Sequence, residues 1–168
     1  MFESGAKLAL AATLLACAAN AAQARERVAF EAAVEPGTIL IRTGERRLYF
    51  VLGNGTAIRY PVAVGRPDKQ WFGRAFVNGK HRRPAWAPPA EVRDDNPNLP
   101  AFIPGGAPNN PMGVAALTLS GGEYAIHGTN RPNSIGTYAS YGCIRMYNQD
   151  ITDLFERVSV GTTVVVVR

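Results

Sequence analysis

Residues 47–64 read RLYFVLGNGTAIRYPVAV, and this stretch determines the fold class. Two runs rich in aromatic and β-branched residues flank the tetrapeptide Gly53-Asn54-Gly55-Thr56. An Asn-Gly step between such runs is the strongest short-range signal for a β-hairpin, because a tight hairpin turn needs residues that tolerate positive φ. The stretch therefore predicts a hairpin with strands at 47–52 and 57–64.

Further strands are predicted on both sides of this hairpin. Residues 38–42 and 75–78 have the composition of short strands, and residues 162–167 that of a buried final strand. A second hairpin is predicted from residues 114–119 and 123–126, which flank a Ser-Gly-Gly turn. The chain is therefore predicted to be mainly β.

One helix is predicted near the C-terminus, with Asn148 as its N-cap. Apolar residues then recur at i, i+3, i+4 and i+7, which is the spacing of a single helix face. These residues are Ile151, Leu154, Phe155 and Val158.

Residues 84–113 contain eight of the 12 prolines of the chain. Because proline fixes φ and has no N–H to donate, this density predicts a segment without regular helix or strand. Trp86, Leu99, Phe102 and Ile103 give the segment apolar anchors. We therefore expect an ordered loop that wraps over one face of the domain, as functional long loops do.

Composition excludes several classes of protein. A chain of 168 residues is long enough for one domain whose core needs no disulfide or metal. With 46% hydrophobic and 18% charged residues, the chain is not a disordered protein. Its two cysteines and two histidines do not supply the four closely spaced ligands of a zinc ribbon or finger. No metal and no cofactor are expected.

The first 24 residues have the organisation of a secretory signal peptide. Lys7 precedes an apolar run, and Ala22-Gln23-Ala24 then provides an A-x-A exit for cleavage after Ala24. The residues around Cys17 also resemble a bacterial lipobox, in which Cys17 would carry a lipid anchor. Export is predicted in both cases, with the unlipidated product favoured.

Cys143 is the lone cysteine downstream of this leader, and His127 lies sixteen residues before it. A thiol becomes a useful nucleophile when a neighbouring imidazole takes its proton. His127 ends a predicted strand and Cys143 closes the next loop, so the two side chains can meet. Gly142 permits a tight turn, which lets the backbone amides there face a developing oxyanion. Spacing alone leaves open a buried core cysteine and a core histidine.

Two short motifs, HGTN at 127–130 and SYGCIRM at 140–146, strongly resemble the L,D-transpeptidase catalytic domain, also called the YkuD domain. The resemblance extends over residues 38–168, and the spacing matches the Gram-negative branch of the family. It implies a β-sandwich with a helix packed on it and assigns residues 38–168 to the catalytic domain. Residues 25–37 are then a short linker or edge segment.

The resemblance also implies a reaction on peptidoglycan stem peptides in the periplasm. A donor tetrapeptide loses its terminal D-alanine, and the acyl group rests on a cysteine before it passes to an amine. The acceptor is another stem in a 3–3 crosslink, a lysine of an anchored lipoprotein, or a free amino acid. Water as acceptor would make the protein an L,D-carboxypeptidase, and a non-catalytic wall-binding domain is a third alternative.

Matching by position, the resemblance implies a role for each motif residue. Cys143 is the nucleophile, and His127 is the general base and later the acid. The backbone carbonyl of Gly128 orients the imidazole, and amides around Gly142 and Cys143 form the oxyanion hole.

Other residues are predicted to bind substrate or shape the groove. Arg145 suits recognition of a planar carboxylate, and Ser140 is expected to shape the loop. Tyr141 stands where the family most often has His or Ser, which predicts an altered donor preference. Further groove candidates are Trp86, Asn130 and Tyr138.

The net charge of +5 raises the question of an anionic partner. The one basic cluster, Lys80-His81-Arg82-Arg83, has no nucleic-acid reader motif, so a solvated segment and no nucleic-acid partner are expected. A basic protein is suited to work beside anionic wall polymers. A membrane contact is expected only if Cys17 is lipidated.

Overall fold

The computed structural model describes residues 25–168, so the predicted signal peptide and Cys17 lie outside the described residues. Ten strands and two α-helices occur within this range. The strands are β1 (Glu26–Ala29), β2 (Ile39–Arg42), β3 (Arg47–Gly53), β4 (Thr56–Gly65), β5 (Gly73–Arg82), β6 (Ala115–Leu119), β7 (Ala125–His127), β8 (Tyr138–Ser140), β9 (Ile144–Met146) and β10 (Thr163–Val167). The helices are α1 (Ala90–Asp95) and α2 (Asn148–Arg157).

The strands form two sheets that share their longest members, β4 and β5. One sheet has the order β1-β4-β3-β2-β10-β5, and the other continues as β5-β6-β7-β9 and returns to β4. Apolar side chains fill the space between the sheets. The predicted mainly β sandwich is confirmed.

Each shared strand changes partner along its length. In β4 the residues up to Pro61 pair with β3, whereas Val62 and Ala63 pair with β9. In β5 the register shifts between Val77 and Gly79, where pairing with β6 follows pairing with β10. Such irregularities bend a strand, which lets one strand serve two sheets.

Both predicted hairpins are confirmed, as β3–β4 and β6–β7. In the first, Gly53, Asn54 and Gly55 have φ of 88°, 51° and 66°. The turn thus needs the left-handed backbone that this tripeptide tolerates. The strand predicted at 75–78 is longer than expected and runs over ten residues, 73–82.

Helix α2 packs on β6 and β7 and presents the predicted apolar stripe to the core. Ile151 and Leu154 have no exposed surface, and Phe155 and Val158 are also buried. Burying each such side chain contributes about 1.5–3 kcal/mol. The helix therefore fixes the sheet that carries His127. No helix in residues 25–168 combines the length and apolarity needed to cross a membrane.

The prediction that Asn148 caps α2 is wrong. Tyr147 occupies the N-cap position without a side-chain cap bond, and Asn148 is the first helical residue. The Asn148 Oδ1 instead accepts hydrogen bonds from the N–H groups of Thr129, at 3.0 Å, and Val114, at 3.4 Å. These distant donors satisfy the amide, so tertiary contacts override the local capping preference.

The prediction of no regular structure in residues 84–113 is also wrong at one place. Helix α1 forms directly after Pro88 and Pro89 and ends before Pro97. Proline is tolerated at a helix start, where its missing N–H would have no helical partner. The prolines therefore bracket a short helix rather than exclude it. We call residues 84–113 the flap.

Truncation of the α2 stripe tests this packing. Leu154→Ala removes a side chain with no exposed surface, and we expect it to cost about 2–5 kcal/mol of the free energy of unfolding. Val160→Ala, at a side chain 62% exposed, should change it by less than about 0.5 kcal/mol. Urea denaturation of both variants measures the difference, and equal losses would contradict the assigned burial.

Candidate active site

A cavity of about 620 Å³ opens where the flap lies over the ends of β7 and β9. Its walls come from the flap, from the turn at 121–124, and from the segments that carry His127 and Cys143. The structure thus brings the two predicted reactive residues into one cavity. Arg145, Ser140, Tyr141, Asn130 and Trp86 also line it.

The strand pairing explains why these residues share a cavity. β7 and β9 are parallel neighbours, in which Ile126 pairs with Ile144 and His127 with Arg145. Cys143 immediately precedes β9. The reactive side chains therefore sit on adjacent elements of a packed sheet, where rigid neighbours hold their positions.

His127 is buried, with 4% of its surface exposed, and its ring is held by the main chain. The ring Nδ1 lies 2.6 Å from the carbonyl oxygen of Gly128. Since a carbonyl only accepts, Nδ1 carries the proton, which leaves Nε2 as the basic atom of a neutral ring. Burial and the positive charge of Arg145 lower the pKa of His127 to about 4, although hydrogen bonding to the Gly128 and Pro111 carbonyls opposes this. The ring is neutral at pH 7.

Cys143 lines the same cavity as this neutral ring. Burial raises the pKa of its thiol, and Glu123 adds to the rise. The Ala125 N–H and the Arg145 charge act in the opposite direction and favour the thiolate. A protonated thiol and a neutral imidazole thus form a neutral pair in the resting cavity, an arrangement in which a thiol needs a general base before it can react.

Arg145 influences both partners. Its half-buried guanidinium loses hydration, which lowers its pKa, and the charge of Arg131 nearby lowers it further. Its positive charge favours a thiolate on Cys143 and disfavours an imidazolium on His127. The same charge faces the cavity, where it can hold a carboxylate.

The loop before Cys143, residues 140–143, is shaped by Ser140; we call it the cysteine loop. The Ser140 hydroxyl donates to the Cys143 carbonyl oxygen at 2.5 Å and accepts the Gly142 N–H at 3.1 Å. These two hydrogen bonds connect both ends of the turn around Gly142. The Gly142 N–H, one of the two amides predicted to form the oxyanion hole, is therefore engaged within the loop.

Position 142 of the cysteine loop requires glycine. Its φ is 114°, and a Cβ there would lie 2.5 Å from the Tyr124 ring and 3.2 Å from the Lys69 carbonyl oxygen. Both the backbone conformation and the space therefore require glycine.

Tyr141 lines the cavity and reaches the flap. Its hydroxyl donates to the Asp95 carboxylate, and the Arg66 guanidinium lies 4.2 Å from the centre of its ring. Arg66 also approaches Asp95, at 3.5 Å. The hydrogen bond between Tyr141 and Asp95 lowers the pKa of Asp95 and raises the pKa of Tyr141.

A second ion pair, Lys69–Glu91, joins the flap to the loop after β4. Together with the Tyr141–Asp95 contact, it connects α1 to two other segments, the loop after β4 and the cysteine loop. Tyr141, which stands where the family most often has His or Ser, therefore helps to hold the flap in place.

The remaining groove candidates divide into two groups. Trp86 lines the cavity and bridges to Ile103, while Asn130 lines it and donates to the Asn109 carbonyl oxygen at 3.0 Å. Tyr138 is not among the cavity-lining residues, because its hydroxyl and ring are engaged by Arg46 at 3.0 and 5.2 Å. The structure does not bring Tyr138 into the site.

Several supporting residues had no recognisable sequence signal. Trp71 and Tyr124 stack with ring centres 4.9 Å apart beside the cysteine loop, and Asn148 ties the segment after β7 to β6. A Cβ on Gly128 would lie 2.3 Å from the Asn148 Oδ1, so the glycine of the His-Gly pair admits this amide. Each contact joins segments far apart in the chain, which local patterns do not reveal.

Comparison with known proteins identifies the family. Residues 36–166 match the YkuD family model, the L,D-transpeptidase catalytic domain. The chain belongs to this family. The predicted resemblance is confirmed, and the match includes every residue of the cavity described above.

Named relatives include two L,D-transpeptidases of Escherichia coli. The probable L,D-transpeptidase YbiS is 43% identical over 135 residues, which are 75% of this chain and 43% of that protein. The probable L,D-transpeptidase ErfK/SrfK is 37% identical over 138 residues, which are 77% of this chain and 43% of that protein. The chain thus spans less than half the length of these relatives.

Solved L,D-transpeptidases share the fold at low sequence identity. The catalytic domain of the Enterococcus faecium enzyme has a TM-score of 0.61 at 17% identity, covering 81% of this chain and all of that one. An L,D-transpeptidase from Mycobacterium smegmatis has a TM-score of 0.62 at 16% identity, covering 78% and 58% of the two chains. These likenesses support the sandwich architecture.

Substitution of Gly142 tests the packing of the cysteine loop. Gly142→Ala meets both backbone strain and the Tyr124 ring, whereas Gly161→Ala, at φ 94° with nothing within 4 Å, meets strain alone. We expect Gly161→Ala to cost about 1–2 kcal/mol and Gly142→Ala about 1–3 kcal/mol more. Urea denaturation measures both, and equal losses would show that the loop yields to the added methyl group.

The pH dependence of alkylation tests the neutral pair. Because the pKa of Cys143 is raised from 9.0, the rate of iodoacetamide alkylation should keep rising through pH 8 without a plateau. In Arg145→Gln the profile should shift to still higher pH, since the guanidinium favours the thiolate. A plateau between pH 5 and 7 would instead indicate a thiolate–imidazolium pair.

Proposed function

We propose that this chain is an exported L,D-transpeptidase that acts on peptidoglycan tetrapeptide stems through a Cys143 acyl-enzyme. The observation that carries the proposal is the buried His127 ring, whose Nδ1 is committed to the Gly128 carbonyl in the cavity that holds Cys143. The family membership and the names of the relatives support the same chemistry.

Acylation begins with the neutral pair. The His127 Nε2 takes the thiol proton as the Cys143 sulfur attacks the carbonyl before the terminal D-alanine of the donor. The resulting oxyanion accepts a hydrogen bond from the Cys143 N–H. The tetrahedral intermediate collapses when the imidazolium gives its proton to the departing D-alanine amine, which leaves a thioester on Cys143.

Deacylation runs the same steps with the acceptor amine. The amine attacks the thioester, the His127 ring accepts the amine proton, and the thiolate leaves and is reprotonated. The Gly128 carbonyl supports both halves, because it binds the Nδ1 proton and stabilises each transient imidazolium. No acidic side chain is needed for this orientation.

The other cavity residues have proposed roles in substrate binding. Arg145 holds a carboxylate of the stem peptide, since its charge faces the cavity beside the thiol. Trp86 and Asn130 form part of the groove wall. Tyr141 acts on donor preference indirectly, because it fixes the flap that forms the opposite wall.

The cellular setting is likewise a proposal. Residues 1–24 act as a signal peptide, residues 25–37 as a linker or edge segment, and residues 38–168 as the catalytic domain of a periplasmic protein. A lipid anchor at Cys17 is the alternative. Proposed acyl acceptors are a second stem, an amino acid or a lysine of an anchored lipoprotein, and one named relative is the probable L,D-transpeptidase ErfK/SrfK.

Intact mass of residues 25–168 tests the reaction. After incubation with a disaccharide-tetrapeptide, we expect an acyl adduct on Cys143 with release of D-alanine, and a new amide product when an amine is added. Cys143→Ala should form no adduct. His127→Gln should acylate about 10²–10⁴ times more slowly, because it lacks the general base.

Each alternative has its own outcome in this measurement. Free tripeptide as sole product, even with excess amine, would identify an L,D-carboxypeptidase. A wild-type protein that forms no adduct, either with the tetrapeptide or with a carbapenem, would contradict the acyl-enzyme and favour a non-catalytic wall-binding domain.

A further inference from the structure

Trp71 contacts the cysteine loop but does not line the cavity. Its ring packs against the main hydrophobic core, and its Nε1–H donates a hydrogen bond to the Gly142 carbonyl oxygen at 3.0 Å. The two residues lie 71 positions apart in the chain. The bond therefore reaches from the loop after β4 to the residue that precedes the reactive thiol.

This bond sets the direction of the Cys143 N–H. The Gly142 carbonyl and the Cys143 N–H belong to one peptide group, and no peptide bond in residues 25–168 is cis. In a planar trans peptide the C=O and N–H point in opposite directions. A donor that holds the carbonyl thus also turns the N–H away from the indole.

The indole itself is held on two sides. Its ring stacks on Tyr124 with an interplanar angle of 12°, and Tyr124 in turn lies directly under Gly142. The preceding residue, Gln70, accepts a hydrogen bond from the buried Thr43 hydroxyl at 2.9 Å. The indole N–H is therefore a fixed donor on a packed support.

Within the loop, the competing amide is already engaged. The Gly142 N–H donates to the Ser140 hydroxyl at 3.1 Å, and the Cys143 carbonyl oxygen accepts from the same hydroxyl. The Cys143 N–H is the group whose direction the Trp71 bond controls. An oxyanion donor stabilises a transition state only when it is aimed before the charge develops.

We propose that Trp71 is a positioning residue for the oxyanion hole: its indole N–H holds the Gly142 carbonyl and thereby aims the Cys143 N–H at the tetrahedral intermediate. The inference rests on the proposed function, because it concerns the acylation of Cys143. Trp71 touches neither the thiol nor the substrate.

Two reactions of the Cys143 thiol distinguish a role of Trp71 in aiming the Cys143 N–H from a role in stabilising the fold around it. Acylation by a carbapenem opens the lactam through a tetrahedral oxyanion. Alkylation by iodoacetamide forms a bond from sulfur to a saturated carbon while iodide leaves, with the thiol proton passing to solvent, and no oxyanion arises. Only the first reaction needs the Cys143 N–H.

The test compares both rates in the wild type and in Trp71→Phe, which keeps an aromatic ring but has no N–H. We expect the second-order rate of acylation to fall at least about tenfold, in line with the cost of small misplacements in a catalytic site. The alkylation rate should stay within twofold. The matched control is Phe72→Leu, at a neighbouring side chain 52% exposed, for which both rates should be unchanged.

The outcomes are separable. Equal acylation of wild type and Trp71→Phe would overturn the inference alone, and equal loss of both rates would show a merely structural role. A wild type that is alkylated but never acylated would contradict the proposed function and the inference with it. If Trp71→Phe lowers the melting temperature markedly, 3-benzothienylalanine at position 71 replaces only the N–H by sulfur, and the same comparison applies.

Discussion

The parallel pairing of β7 with β9 is the constraint on which the site depends. It sets His127 beside Arg145 and delivers Cys143 at the start of the neighbouring strand. Parallel neighbours need a crossover connection, and here residues 128–143 supply it by returning through β8, which pairs with β4. His127 and Arg145 are thus held by the sheet itself, and Cys143 is the last residue of the connection. The apolar stripe of α2 packs against this sheet, and the Asn148 side chain accepts a hydrogen bond from the main chain that follows β7.

The same arrangement decides the electrostatic character of the site. A buried imidazole next to a guanidinium is held neutral, and desolvation of the partly buried Cys143 thiol favours its protonated form. Neutral side chains at these two positions avoid the cost of burying further unpaired ions beside the Arg145 guanidinium. In the proposed reaction, negative charge develops on a carbonyl oxygen beside the Cys143 N–H, whose peptide group the cysteine loop already holds in place. Such an environment does not reorganise as the charge appears, which is the main advantage of a preorganised site over water.

The features that the sequence predicted correctly depend on interactions between residues close together in the chain. The Gly-Asn-Gly turn, the strands rich in aromatic and β-branched residues and the apolar face of α2 depend on neighbours a few residues apart, and the motif around Cys143 identified the family. What sequence did not reveal depends on distant segments: Asn148 bonds the main chain after β7, Tyr138 is engaged by Arg46, and Tyr141 reaches Asp95. Helix α1 was missed because proline density was taken as a barrier, whereas prolines can also mark where a helix starts and stops.

The prolines of the flap have an energetic consequence for the cavity. Each proline whose fixed φ agrees with the folded backbone stabilises a protein by about 0.4–1 kcal/mol, because the unfolded chain has fewer conformations to lose. Eight such residues in the flap reduce the entropy that would otherwise oppose its order. The flap is therefore already ordered when a ligand enters the cavity, and less of the binding free energy is lost in immobilising it. The flap has little regular hydrogen bonding, and its rigidity comes instead from the restricted torsion angles of its prolines.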